Sequence, residues 1–250
     1  MTSEAVQDEA IILRVRSWQT ADKYAVAFTK SHGKVRFIAY GARYTKNVAG
    51  RLLQPFVRLN IDITTGQKID RLKGCELVQL PLNFDFKQMA YAAVMAELTA
   101  ALTEDREPAE DIYALLAASL QVLKERNPRI ITLTFALKLL ALTGFAPQME
   151  SCVACGRSLS ADEDAWFSPL QGGVLCGDCH AAQAGSGDEP CSSGTRVLMQ
   201  QLAALDLTNP QHFTVRGENL MELEKLLYKF ILFQTDKPLN SLNFLGQMGL

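Results

Sequence analysis

The sequence of 250 residues predicts an α+β multidomain protein: an OB-fold β-barrel over residues 1–80, then an α-helical domain over residues 81–250 with a zinc-binding module inserted at residues 148–184. Three observations predict it. Apolar residues alternate with a period of two, in short segments split by turn signals, as far as Val78. From Pro81 onward the apolar spacing becomes helical. Four of the six cysteines fall in two Cys-x-x-Cys pairs.

The first strand covers Ile11 to Arg16, with Ile11, Leu13 and Val15 expected on the core face and Ile12, Arg14 and Arg16 on the other. The second starts at Lys23 and is expected to turn Tyr24, Val26 and Phe28 inward, against Lys23, Ala25, Ala27 and Thr29. Ser31-His32-Gly33 makes a tight turn into a third strand, Lys34 to Tyr40, where Val35, Phe37 and Ala39 face in and Lys34, Arg36, Ile38 and Tyr40 face out. The connection Gly41 to Pro55 holds three basic and no acidic residues and is too long for a plain hairpin, which marks it as a functional loop. Val57, Leu59, Ile61 and Ile63 supply the inward face of a fourth strand, and a fifth runs through Leu72 to Val78. Five short strands with a long third connection fit a small closed barrel of the OB type, which leaves no strand edge open.

Helical spacing follows over Gln88 to Thr103 and over Ala109 to Arg126, the latter with Glu110 and Asp111 in its first turn and Lys124 and Arg126 in its last, signs that complement the helix dipole. Asn127 and Pro128 open a third helix, and Gly144 and Pro147 close it; it is apolar nearly all round, as expected of a central helix. Ala184 to Gly194 has the composition of a flexible linker. Helices at Thr195 to Leu205 and Asn219 to Gln234 complete the chain, and no internal repeat is found.

The net charge is only −2, but residues 1–80 carry 13 Lys and Arg against 7 Asp and Glu. Between Arg14 and Arg58 ten basic residues face a single acidic one, Asp22, a patch suited to a polyanion. The segment Met1 to Glu9 lacks the basic start and apolar run of a targeting signal, and no apolar stretch approaches the roughly 18 residues of a membrane span. A cytoplasmic location without a membrane partner is expected. Phosphate-cradling, zinc-protease and serine-hydrolase motifs are absent, and His32, His180 and His212 are isolated, so no catalytic residues are assigned.

In a reducing compartment the cysteine spacing is read as metal binding before disulfides. Cys152-x-x-Cys155 and Cys176-x-x-Cys179 are separated by twenty residues, a spacing suited to two knuckles that hold one structural Zn²⁺, with Ala165 to Leu175 as the hairpin between them. Four thiolates leave no open coordination position. His180 is expected beside the site as a solvated neighbour, Cys75 as a buried strand residue, and Cys191 as an exposed thiol of the linker. Thiol redox chemistry or a zinc-dependent enzyme is the alternative reading of this module.

Arg14, Arg16, Lys34, Arg36 and Tyr40 fall on outward strand positions, with Arg43, Tyr44, Lys46 and Arg51 in the adjoining loop. Cations that neutralise phosphates beside aromatics that stack on bases suit a nucleic-acid strand on the barrel face. An adaptor whose basic patch binds an acidic protein is the competing interpretation.

Several runs then resemble one family. Thr20-Ala21-Asp22-Lys23 leads into Phe28-Thr29-Lys30-Ser31-His32-Gly33-Lys34-Val35, followed by Tyr40-Gly41-Ala42-Arg43 and Leu53-Gln54-Pro55-Phe56. In order and spacing these resemble the N-terminal domain of RecO, the bacterial DNA-repair and recombination-mediator family. Leu139 to Pro147 ahead of Cys152-x-x-Cys155-Gly156, and Gly172-Gly173-Val174-Leu175-Cys176, resemble the remainder. The resemblance implies an OB-fold, a helical domain and a zinc motif at Cys152, Cys155, Cys176 and Cys179. It implies binding of single- and double-stranded DNA, annealing of complementary strands, and loading of RecA onto DNA covered by single-strand-binding protein, without nucleotide hydrolysis. The partners it implies are RecR, the acidic C-terminal tail of single-strand-binding protein and, indirectly, RecA; it places the protein at the nucleoid.

Overall fold

The computed structural model describes residues 5–66, 69–79, 82–183, 185, 187–207 and 215–248, so His212 lies outside the described residues. The chain divides into two compact units, Met1–Pro128 and Arg129–Leu250.

In the first unit, β1 (Ala5–Trp18), β2 (Asp22–Thr29), β3 (Gly33–Ala39), β4 (Arg58–Thr64) and β5 (Asp70–Gln79) close a barrel in the order β1-β2-β3-β5-β4. β1 is long enough to pair with both β2 and β4, and a short parallel contact between β3 and β5, Phe37 to Asp70 and Ile38 to Arg71, completes the closure. This is the five-stranded OB arrangement.

The barrel interior is filled by Val6, Ala10 and Ile12 of β1, Ala25 and Ala27 of β2, Val35, Phe37 and Ala39 of β3, and Leu59, Ile61 and Ile63 of β4. For β3 and β4 these are the expected inward faces. For β2 the expected face is reversed: the small Ala25 and Ala27 fill the narrow interior, while Tyr24, Val26 and Phe28 are buried on the outside. The second cover comes from α2 (Phe86–Leu102), which contacts β1 and β2. In β1 a bulge at Leu13 breaks the alternation: Ile12 pairs with Ala27 and Arg14 with Val26. Ile12 therefore faces the interior and Arg14 the exterior, although their sequence parity is the same.

α2 begins at Asp85, whose carboxylate accepts the Gln88 N–H while the Gln88 side chain accepts the Asp85 N–H, a complete capping box. α3 (Glu110–Val122) follows and packs on α2. Its Tyr113 hydroxyl donates to Glu9 of β1 (2.8 Å), and Glu9 also pairs with Arg58 of β4.

In the second unit, α4 (Pro128–Leu142) is buried on all sides from Ile131 to Leu137, as its apolar circumference requires. Arg129 at its start forms a bidentate pair with Glu224 of α7 (Gly217–Thr235). α7 packs on α6 (Ser193–Ala204), and α8 (Asn240–Met248), for which no helix was expected, follows. A sheet of order β7-β6-β8 joins β6 (Ala165–Ser168), β7 (Gly173–Leu175) and β8 (Glu189–Cys191). β8 lies within the expected linker. Cys191 is accordingly buried, not exposed, and burial pushes its thiol up to about 12.

Candidate nucleic-acid face and metal centre

The connection between β3 and β4 is ordered by its own backbone. Asn47 caps the short α1 (Val48–Leu52) by accepting the Gly50 N–H, and Gly50 packs so closely that a Cβ there would stand 1.8 Å from the Ala42 carbonyl oxygen. Lys23 of β2 donates to the carbonyls of Gly50 (2.6 Å) and Leu53 (3.2 Å), at the C-terminal end of α1 where a cation meets the helix dipole. The Arg43 N–H bonds to Ala21 (2.8 Å) and the Arg43 guanidinium to Thr20 (3.0 Å), which fastens the loop to the β1–β2 turn. Asp22, the acidic exception in the basic run, is buried and accepts the Gly41 N–H (2.8 Å).

Strand register brings the outward residues into rows. Arg14, Val26 and Arg36 form one cross-strand row; Arg16, Tyr24, Ile38 and Arg71 form the next. The Arg16 guanidinium lies over the rings of Tyr24 (4.4 Å) and Trp18 (5.2 Å), and that of Arg71 over Tyr40 (5.7 Å), placements in the cation–π range. Arg71 was not among the residues singled out from the sequence, because only the parallel β3–β5 contact carries it into this row.

The candidates divide into two groups. Arg14, Arg16, Arg43, Lys46 and Arg51 are exposed and have no carboxylate partner among the described residues. Tyr40 and Tyr44 are exposed by 52% and 67%, so their rings are accessible for stacking. Lys34 is different. Its outward position is correct in parity, but the segment that ends α2 covers it: it is 5% exposed and donates to the carbonyls of Ala100 (2.6 Å) and Thr103 (2.5 Å). It therefore satisfies the C-terminal carbonyls of α2 and presents no cation to solvent, which corrects its expected place on the exposed face. Arg36 remains exposed but is paired with Asp105. The patch is thus narrower than the sequence suggested and is displaced towards the β1–β2 turn, the β3–β4 loop and the start of β5.

In the second unit the four predicted cysteines converge, with all sulfurs within 4.8 Å of one another and Cys155 Sγ 4.0 Å from Cys176 Sγ. A tetrahedral zinc with bonds of about 2.3 Å requires sulfur separations of about 3.8 Å, close to this spacing. Two knuckles build the cluster. Gly156, at φ +74°, turns its N–H back onto the Cys152 carbonyl (2.9 Å); the His180 N–H bonds to the Cys176 carbonyl (2.9 Å) at the start of α5 (Gly177–Gln183). Val153 bonds to Val174 (2.9 Å), so the hairpin carries the second knuckle to the first.

Burial alone would raise the Cys152 thiol, but N–H groups of Cys176, Cys155 and Ala154 directed at its sulfur bring it down to about 6. That environment favours the thiolate, the form that binds a metal. The donor set therefore fits Zn²⁺, and it is closed: the His180 ring stacks on Trp166 at 3.8 Å and stands outside the four-sulfur group. Cys75 is half-buried against the barrel core and belongs to the first unit.

Residues 1–81 match the family described as Recombination protein O N terminal, and residues 83–243 the one described as Recombination protein O C terminal. The chain belongs to the RecO family. A DNA repair protein RecO of Symbiobacterium thermophilum is 34% identical over 245 residues, covering 96% of each chain. Those of Alkaliphilus metalliredigens and Desulforudis audaxviator are each 30% identical, over 241 and 246 residues, with 93% and 98% of this chain covered and 94% and 97% of theirs. RecO is a family of DNA repair proteins. Among the described residues, no helix is long and apolar enough to cross a membrane.

Proposed function

We propose that this RecO-family chain is a non-enzymatic mediator of DNA repair and homologous recombination. It binds single- and double-stranded DNA on the barrel face, anneals complementary strands, and helps load RecA onto DNA covered by single-strand-binding protein. RecR and the acidic tail of single-strand-binding protein are its protein partners, and the nucleoid region of the cytoplasm is where it works.

The observation that carries this reading is the group Arg14, Arg16, Arg43, Lys46 and Arg51, exposed and without carboxylate partners among the described residues, beside Arg71, Tyr40 and Tyr44. Strand annealing brings two polyanions together, and cations that are already neutralised within the protein could not screen them. These cations can displace phosphate counterions, while the aromatic rings accept unstacked bases. The second unit contributes a structural zinc module at Cys152, Cys155, Cys176 and Cys179. Its closed set of four thiolates offers no position for substrate, which favours scaffolding over zinc-dependent catalysis.

Fluorescence anisotropy with labelled oligonucleotides tests the proposal. Five neutralised phosphates give a single-strand salt slope of about −3.5, or roughly a hundredfold loss of affinity between about 50 and 200 mM salt. Changing Arg43 and Lys46 together to Glu is expected to abolish annealing. An absent or salt-independent response, or unchanged annealing by the double variant, would overturn the assignment of this face.

A further inference from the structure

Strand register sets Arg16 of β1 opposite Tyr24 of β2, Tyr24 opposite Ile38 of β3, and Ile38 beside Arg71 of β5. An arginine therefore stands at each end of one row across the barrel. Both are seated on aromatic rings: the Arg16 guanidinium lies 4.4 Å from the centre of Tyr24 and 5.2 Å from that of Trp18, and the Arg71 guanidinium 5.7 Å from that of Tyr40.

Beneath Arg16 the rings form a floor. Tyr24 is buried and Trp18 half-buried, with ring centres 5.8 Å apart, whereas Arg16 and Arg71 are both exposed. A structural arginine has its donors taken up within the protein, as Arg196 of α6 does by donating to the carbonyls of Met149, Ser160 and Glu163. Among the described residues, neither Arg16 nor Arg71 has a side-chain hydrogen bond or a carboxylate partner.

A guanidinium is a plane whose donors all lie along its rim. With a protein ring on one side, its other side remains open to solvent and its rim to phosphate oxygens. A nucleobase can stack on such a plane, because every base has an aromatic face. Inside a duplex those faces are already covered by neighbouring pairs.

We propose that Arg16 and Arg71 are base platforms that make this face selective for unpaired nucleotides, each guanidinium lying between a protein ring and a base while its rim meets the backbone. The inference rests on the reading of this face as the DNA site and names the form of DNA that it selects. Duplex binding, in contrast, draws only on the charge of the face.

The test uses the full chain and its variants Arg16→Lys, Arg71→Lys and the two combined. Lysine keeps the charge and lacks the plane. Anisotropy is read with an oligothymidylate, with an abasic strand of the same length and charge, and with a blunt duplex. Each single variant is expected to bind the oligothymidylate at least about fivefold more weakly. Its salt slope should stay parental, as should its affinities for the abasic strand and the duplex. The row ends lie three strand spacings apart, about 14 Å, far enough for the two losses to multiply in the combined variant.

Parental affinity of both single variants for the oligothymidylate would overturn the inference, and so would equal losses on the oligothymidylate and the abasic strand. If Arg16→Lys does not fold, Arg71→Lys decides by the same comparison. A parent protein that binds none of the three would overturn the DNA reading of the face itself, an outcome distinct from a binding parent with unaffected variants.

Discussion

Asp105 holds Arg36 in place, its carboxylate 3.1 Å from the Arg36 guanidinium on the outer surface of β3. The same oxygen lies 3.4 Å from the Lys34 ammonium, so an acidic residue just beyond α2 is set into the margin of the basic face. A phosphate arriving at Arg36 has to compete with it.

Asp105→Asn is therefore expected to strengthen DNA binding. An exposed pair of this kind is worth about 0.2–1 kcal/mol, which sets an increase of up to about fivefold. The single-strand salt slope should steepen by about 0.7 as one further phosphate is engaged. Anisotropy titrations at several salt concentrations measure both quantities; an unchanged slope would show that Arg36 does not reach the backbone.

Lys34 and Arg51 should behave in opposite ways. Lys34→Ala leaves the Ala100 and Thr103 carbonyls without their donor and is expected to cost about 1–3 kcal/mol of stability in urea unfolding, with the salt slope preserved. Arg51→Ala removes an exposed side chain and should leave unfolding unchanged while making the slope shallower by about 0.7.

Acid should loosen the first unit through Glu9 and Asp8. Burial opposes ionisation of Glu9, but hydrogen bonds from Arg58 and Tyr113 outweigh it and hold the carboxyl below its ordinary 4.5. Asp8 is likewise buried, yet its contacts with His32, Ser31 and Thr29 bring it below 3.8. Their stabilisation is complete above the ordinary carboxylate values and is lost as pH falls through the lower folded-state values. Thermal melts from neutral to acid pH should show this decline, and Glu9→Gln should flatten it at the cost of a lower Tm at neutral pH.

Removal of the zinc proposed for the four-cysteine cluster should act locally. Apparent binding energies of structural zinc sites reach about 10–16 kcal/mol, more than a small three-stranded sheet can replace. After chelation, hydrogen exchange is expected to accelerate across the knuckles, β6, β7 and β8, while β1 to β5 keep their protection. Thiol titration should find four newly reactive sulfurs for each zinc released.

The parts legible in the sequence were those governed by local periodicity or fixed spacing. The inward sets of β3 and β4, the Asn127–Pro128 start of α4 and the four-cysteine cluster all follow from neighbouring residues. The inward face of β2 did not, because that strand is apolar on both sides: alternation identifies two faces, and only the presence of α2 shows that the bulkier one packs outside the barrel. Lys34 illustrates the same limit, since its cover arrives from residues about seventy positions away. Arg71 required a long-range parallel contact, and Cys191 required a third strand built from a segment whose composition reads as linker.

The bulge at Leu13 makes the register of β1 with β2 indifferent to the loss of that one residue. Removing one residue from a paired strand ordinarily turns every later side chain over, but excising Leu13 would leave Ile12 opposite Ala27 and Arg14 opposite Val26, as they already stand. Moving the irregularity past Arg14 instead would drive a guanidinium into a compartment lined by alanine and isoleucine. Where the extra residue sits therefore determines whether the Arg14 guanidinium reaches the solvent.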